Sequence, residues 1–188
     1  RDAHMINFIN DLKRNIINFE SDEYLAFLKR VTRYDLEVYP IELTLDFSPT
    51  AVTCIILDKT GSGPAVSTGL GCDTDPLRAT KSAIYEAVRD HISRLSWLFR
   101  GKPRRLPAKH TQAGVIARKS RWWASPFGFR KIAPFLSGKK VTIGKEKKSA
   151  NLVPQTNNLI DEFVQKNYQV YAVDLTIPEV EEHGLRVI

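Results

Sequence analysis

Apolar residues recur along the chain first with helical spacing and then with the density of buried strands. Met5, Phe8, Ile9, Leu12, Ile16 and Phe19 are spaced by threes and fours, which predicts an amphipathic helix over about residues 2–18. No cap or turn signal precedes Arg1, so that helix is expected to begin upstream of it. Ser21 opens a second short helix, with Asp22 and Glu23 in the first turn, where the macrodipole favours negative charge. Tyr24, Phe27 and Leu28 form its apolar side. LEVYPIELTLDF and AVTCIILD are rich in β-branched and aromatic residues and predict two strands joined through Ser48-Pro49. Gly61-Ser62-Gly63-Pro64 predicts a turn, and AVSTGLGCD a short strand running into a glycine-bearing bend.

The best-marked helix follows. Asp75 is an N-cap and Pro76 occupies the first helical position, where a missing N–H costs nothing. Leu77, Ile84, Val88, His91/Ile92, Leu95 and Leu98 then form an apolar stripe down to about Phe99. Asn157 to Gln165 predicts another helix through Leu159, Ile160 and Phe163. YQVYAVDLTI predicts a buried strand, and LRVI the start of one more, so the chain is expected to end inside a strand as it begins inside a helix. The alternation is that of an α/β chain.

Charge changes this picture. The 188 residues carry 28 Lys+Arg and 21 Asp+Glu, a net of +7, with 43% hydrophobic residues. Between Arg100 and Lys148 stand 15 Lys+Arg and the single acid Glu146, whereas the rest of the chain is net −7. An acidic body therefore carries a basic segment (residues 100–149) that includes Trp122 and Trp123. Its few periodic apolar positions predict a long loop or insertion within one domain. Such a stretch suits phosphate and stacked bases, a solvated loop, or an acidic partner or peptide. The longest apolar runs, such as Ala51 to Leu57, are far short of the roughly 20 residues of a membrane helix. Cys54 and Cys72 are too few for a disulfide scaffold or a four-cysteine zinc site, which points to a reducing cytoplasm.

Candidate chemistry gathers on one face of the Asp75–Phe99 helix. Ala79, Ser82, Ala83, Glu86, Asp90 and Ser93 make a stripe of small and acidic residues. Glu86 and Asp90 are an i,i+4 like-charge pair that a divalent cation with bound phosphate would turn to advantage, since Mg²⁺ takes one or two carboxylates plus substrate oxygens. A solvated face balanced by Arg89 and Arg94 is the competing reading. The four histidines share no metal-ligand spacing, and Cys72 has no paired histidine and reads as structural. GLGCDTD has only a G-x-G, so it is no nucleotide fingerprint.

Taken together, these stretches resemble the C-terminal half of YcaO-type domains. The shared pattern is a "G-x-G-C-x-x-D-P" run leading into an alanine-rich helix with a glutamate: Gly69, Gly71, Cys72, Asp75, Pro76, Ala79, Ala83 and Glu86. A later "VY-x-V-D-L-T-x-P" strand is matched by Val170, Tyr171, Val173, Asp174, Leu175, Thr176 and Pro178. Arg1-Asp2-Ala3 is similar to the end of the family's "E-R-D-A" helix. Arg89 and Asp90 stand where the family usually has a glutamine, and His91 where an arginine is frequent. The basic segment lies between the matching stretches.

The resemblance implies part of a YcaO-like domain, α/β in the α+β sense, with a mixed, largely antiparallel sheet packed with helices. It also implies an ATP- and Mg²⁺-dependent enzyme that phosphorylates a peptide backbone amide oxygen. A Cys, Ser or Thr side chain, or an external sulfur donor, then attacks the carbonyl carbon, forming azolines or thioamides in ribosomally made peptides. Another branch of the family acts with ribosomal protein modification. Glu86 carries over as the candidate nucleotide and Mg²⁺ ligand and Arg1 as a phosphate-side candidate, while Asp90 enters from the helix face alone. Expected partners are the peptide substrate, a partner subunit of the E1-like or TfuA-like kind, and a second copy in a homodimer. Neither nucleic acid nor a membrane is the expected partner. Two other readings stay open: a non-catalytic family member binding a leader peptide or partner subunit, and a basic nucleic-acid-binding module.

Overall fold

The computed structural model describes residues 15–19, 22–43, 47–99, 111, 118, 121–132, 136–143 and 152–184. The chain forms two compact units, Arg1–Lys147 and Lys148–Ile188. In the first, strand β1 (Asn15–Phe19) leads to helix α1 (Asp22–Thr32), then β2 (Leu36–Leu43), β3 (Thr50–Asp58) and β4 (Val66–Asp73). Helix α2 (Pro76–Phe99), helix α3 (Pro126–Ile132) and strand β5 (Lys139–Ile143) complete it. The five strands make one mixed sheet in the order β4-β3-β2-β1-β5. All pairings are antiparallel except that of β1 with β5. The expected fold class, a mixed and largely antiparallel sheet packed with helices, is the one observed.

Strand β3 explains why the sheet is covered on both faces. Every residue from Ala51 to Asp58 is buried, so neither alternating set of side chains faces solvent. Val52, Cys54 and Ile56 pack with Ile17, Leu77, Ala79, Ala83, Ile84 and Ala87, the core beneath α2, which Tyr24 and Phe27 of α1 also touch. Ile55 and Leu57 face the other way and pack with Ile41, Val66 and Ile132, flanked by Trp123, Phe129 and Leu136. The basic segment is therefore not all loop. Its α3 places Ile132, 1% exposed, against the second face, its Ala124 carbonyl accepts the Ala65 amide at 2.9 Å, and β5 adds a sheet strand.

Two expectations about the sheet are corrected. The helix expected over about residues 2–18 gives way to strand β1 from Asn15, while residues 1–14 lie outside the described ones. Adjacent β-branched Ile16 and Ile17 favour extended backbone, and pairing edges on both β2 and β5 override the helical spacing. The β1–β2 ladder registers Asn15↔Glu42 and Ile16↔Ile41 and stops beside Pro40, which has no N–H to contribute. The bend expected in GLGCD is instead continuous strand, β4 running on to Asp73.

In the second unit, helix α4 (Leu152–Gln165) begins earlier than Asn157, and a short α5 spans Pro178–Glu181. Between them YQVYAVDLTI is not the buried strand its pattern predicts. Residues 168–177 are irregular, with Tyr171 79% and Leu175 64% exposed. A strand needs a ladder partner as well as β-forming residues, and none pairs with this stretch among the described residues. LRVI lies outside the described residues.

Candidate functional site

The site is assembled by the β4–α2 hairpin. Asp75 caps α2 as expected: its Oδ1 accepts the Leu77 amide at 2.8 Å and the Arg78 amide at 3.3 Å. Asp73 Oδ1 accepts the Asp75 amide at 2.8 Å and the Arg78 guanidinium at 3.0 Å, tying the turn to the helix it starts. From there α2 runs back antiparallel along β4.

Glycine sets the distance between them. A Cβ on Gly69 would collide with the Ala83 carbonyl and the Ala87 amide, and one on Gly71 with the Ala79 carbonyl. Ala79, Ala83 and Ala87, all 0% exposed, face this seam. The G-x-G is a packing device that lets helix backbone ride on strand backbone. It thereby divides the stripe of small and acidic residues: the alanines are core, and only its outer members are accessible.

Those outer members meet the edge of the sheet. β4 is an edge strand, with outward amides that β3 cannot satisfy. Glu86 Oε2 accepts the Leu70 amide at 2.7 Å, and Asp90 Oδ2 the Thr68 amide at 3.1 Å. The spacing works because two strand residues advance about 6.7 Å and four helical residues about 6.0 Å. Sequence reasoning found both carboxylates but not these amides, whose availability depends on which strand ends up at the edge.

The two carboxylates are not equivalent. Asp90 is half-buried and engaged by Arg94, whose Nε donates to Oδ1 at 2.9 Å and whose second guanidinium nitrogen lies 2.8 Å from Oδ2. Arg94 also donates to the Val66 carbonyl at 3.2 Å, bracing helix to strand. Glu86 is exposed and has no cationic partner among the described residues. Beside it lies an open cleft of about 330 Å³ lined by Thr68, Glu86, Arg89, Asp90 and Ser93. Behind it, buried His91 places Nδ1 3.2 Å from the Ser67 hydroxyl. Burial lowers the His91 pKa, Asp58 and Asp90 oppose that, and Arg94 adds to it. Cys54 is buried in the core and Cys72 is an exposed free thiol on β4, so the structural role expected for Cys72 is not one of core packing.

The sequence of the whole chain, residues 1–188, matches the family model described as YcaO cyclodehydratase, ATP- and Mg²⁺-binding. The chain belongs to the YcaO family. No curated protein matches it. Among solved structures it is similar to a heterocyclase in complex with substrate and cofactor (TM-score 0.71, 18% identity, 95% of this chain and 23% of that one). It is also similar to the heterocyclase TruD (TM-score 0.65, 16% identity, 95% and 24%). A third is YcaO from Methanopyrus kandleri bound with AMPPCP and Mg²⁺ (TM-score 0.57, 17% identity, 94% and 45%). At these identities the likeness is one of fold, and the chain spans less than half the length of each.

Membership makes ATP and Mg²⁺ the groups whose fit to the candidate site is to be judged. Mg²⁺ keeps most of its waters and takes one or two carboxylates plus phosphate oxygens. Glu86 fits one such place, with Oε2 anchored by Leu70 and the carboxylate on an open cleft. Asp90 fits less well, because Arg94 and Thr68 already occupy its oxygens. Among the described residues no three His, Cys, Asp or Glu side chains gather as a metal site of their own. Arg89, exposed on the cleft, is a cation that sequence reasoning had placed only as counter-charge. Arg1 lies outside the described residues. Among the described residues no helix is long and apolar enough to cross a membrane.

Proposed function

We propose that this chain supplies the C-terminal part of an ATP- and Mg²⁺-dependent YcaO enzyme that activates a backbone amide of a ribosomally made peptide. The observation that carries this reading is Glu86, held by Leu70 at an edge-strand cleft and unpaired with any cation among the described residues. In this reading Glu86 contributes one ligand to the nucleotide-bound Mg²⁺, Arg89 faces phosphate, and Arg1 is a further phosphate-side group. ATP supplies the phosphoryl group that turns the amide oxygen into a leaving group, and the cation offsets the charge on the phosphates. The activated carbon is then attacked by a peptide Cys, Ser or Thr, giving an azoline, or by external sulfur, giving a thioamide. The heterocyclase neighbours support the azoline outcome first.

The enzyme would work in the cytoplasm, as a homodimer, with its peptide substrate and an E1-like or TfuA-like partner subunit. The test is ATP hydrolysis by the full-length protein with and without peptide. Peptide-stimulated turnover that Glu86→Gln abolishes is the expected result. Undiminished turnover in that variant removes Glu86 from the site, and no Mg-ATP binding by calorimetry removes the enzymatic reading.

A further inference from the structure

Arg94 completes a ladder of side chains along the outer edge of β4. Glu86 meets the Leu70 amide, Asp90 the Thr68 amide and Arg94 the Val66 carbonyl, so each step of four along α2 matches a step of two back along β4. Glu86 and Asp90 line the cleft, whereas Arg94 acts on it through Asp90. Its Nε donates to Oδ1 at 2.9 Å and its Nη2 lies 2.8 Å from Oδ2, a two-point contact suited to a planar guanidinium. The Arg94 side chain is 14% exposed and that of Asp90 26%, so water screens this pair less than one in open solution.

Charge in the cleft is thereby balanced. Glu86 and Asp90 are carboxylates one helical turn apart, and their repulsion by itself favours a divalent cation. Asp90 is bound to Arg94, and Arg89 also lines the cleft. Among the described lining residues, one carboxylate is therefore left for a cation and no net negative charge is left to oppose phosphate.

We infer that Arg94 is a positioning residue that makes the cleft select a nucleotide-bound cation over the bare ion. It holds Asp90 against the Thr68 amide and away from the cation, so that Glu86 is the carboxylate on offer and phosphate and water supply the other ligands. Two free carboxylates would instead hold the bare ion more firmly and repel the nucleotide, because Mg-ATP as a whole is an anion. The inference rests on the reading of this cleft as the Mg-ATP site for the identity of the nucleotide. The hold of Arg94 on Asp90 rests on geometry alone.

Calorimetry on the full-length protein tests this with two probes, Mn²⁺ alone and the non-hydrolysable ATP analogue AMPPCP with Mg²⁺. Arg94→Met keeps an apolar stem and removes the charge. It should bind Mn²⁺ about fivefold more tightly than wild type and Mg-AMPPCP about fivefold less tightly. In D90N/R94M the charges balance again, so nucleotide affinity should return to near the wild-type value and the gain for Mn²⁺ should vanish. A merely structural role predicts instead that the double variant does no better than the single one. Asp90→Asn keeps an oxygen that can accept from Thr68 or Arg94, so it keeps the test decisive if Arg94→Met disturbs folding. It should bind Mg-AMPPCP more tightly than wild type and Mn²⁺ more weakly. Parallel losses of both affinities in R94M overturn the inference, as do unchanged affinities in R94M and D90N or a double variant no better than R94M. Absent Mg-AMPPCP binding by wild type, with Mn²⁺ affinity that rises in R94M and falls back in the double variant, supports the role of Arg94 while overturning the nucleotide reading. Mg-AMPPCP binding with affinities alike in all four proteins does the reverse.

Discussion

Glu86 accepts the backbone amide of Leu70 at 2.7 Å, across the outer edge of β4. One carboxylate thus satisfies an edge-strand donor and stands at the cleft where a nucleotide-bound cation is proposed. This makes the two jobs separable. In Glu86→Gln the amide oxygen can still accept from Leu70 while the charge is gone. The thermal unfolding temperature is expected to change little, whereas Mg-ATP binding is lost. Glu86→Ala should lose both, with stability falling by about 1 kcal/mol as the Leu70 amide loses its partner. Equal nucleotide affinity in wild type and the glutamine variant would count against the ligand role.

Gly71 and Ala79 bring two backbones together without side chains between them. Gly71→Ala is expected to cost about 2 kcal/mol or more, because the new Cβ must push α2 off β4. Urea unfolding measures it. A variant as stable as wild type would show that the helix can shift freely, and the cleft geometry would then not depend on this seam.

Asp75 is 4% exposed and caps two amides of α2. Asp75→Ala is expected to destabilise by about 1–2 kcal/mol, whereas Asp75→Ser should recover much of that, since serine also caps. Equal losses in both variants would point to something other than capping.

His91 sets an acid limit. Burial holds its pKa below the ordinary imidazole value of 6.5, so it stays neutral in the fold where the unfolded chain already binds a proton. Unfolding then takes up a proton, and stability falls as pH drops below about 6.5 toward the folded-state value, beyond which this contribution flattens. Melting temperatures compared at pH 7.5 and pH 5.5 should fall more in wild type than in His91→Asn. Parallel losses in the two proteins would assign the acid sensitivity elsewhere.

Local rules reached far into this chain. The Asp75-Pro76 start of α2, the two strands before it, the apolar positions Leu77 and Ile84 and the exposed carboxylate Glu86 all follow from short-range spacing, because caps, β-branching and helical period act over a few residues. Partnership could not be read that way. Asn15–Phe19 became a strand because β2 and β5 lie on either side of it, and Tyr168–Ile177 did not because no strand forms a ladder with it among the described residues. The glycines of GLGCD suggested a bend, and only the closeness of Ala79 and Ala83 showed that they let helix backbone lie directly on β4. The pairing of Glu86 with Leu70, and of Asp90 with Thr68, followed from β4 taking the edge of the sheet, whereas Asp90 and Arg94 pair at i,i+4 within α2. Edge position and backbone contact arise between segments distant in sequence, so no local pattern encodes them. What the chain alone determined was which residues could serve, and the tertiary structure decided which of them face solvent with a charge left to use.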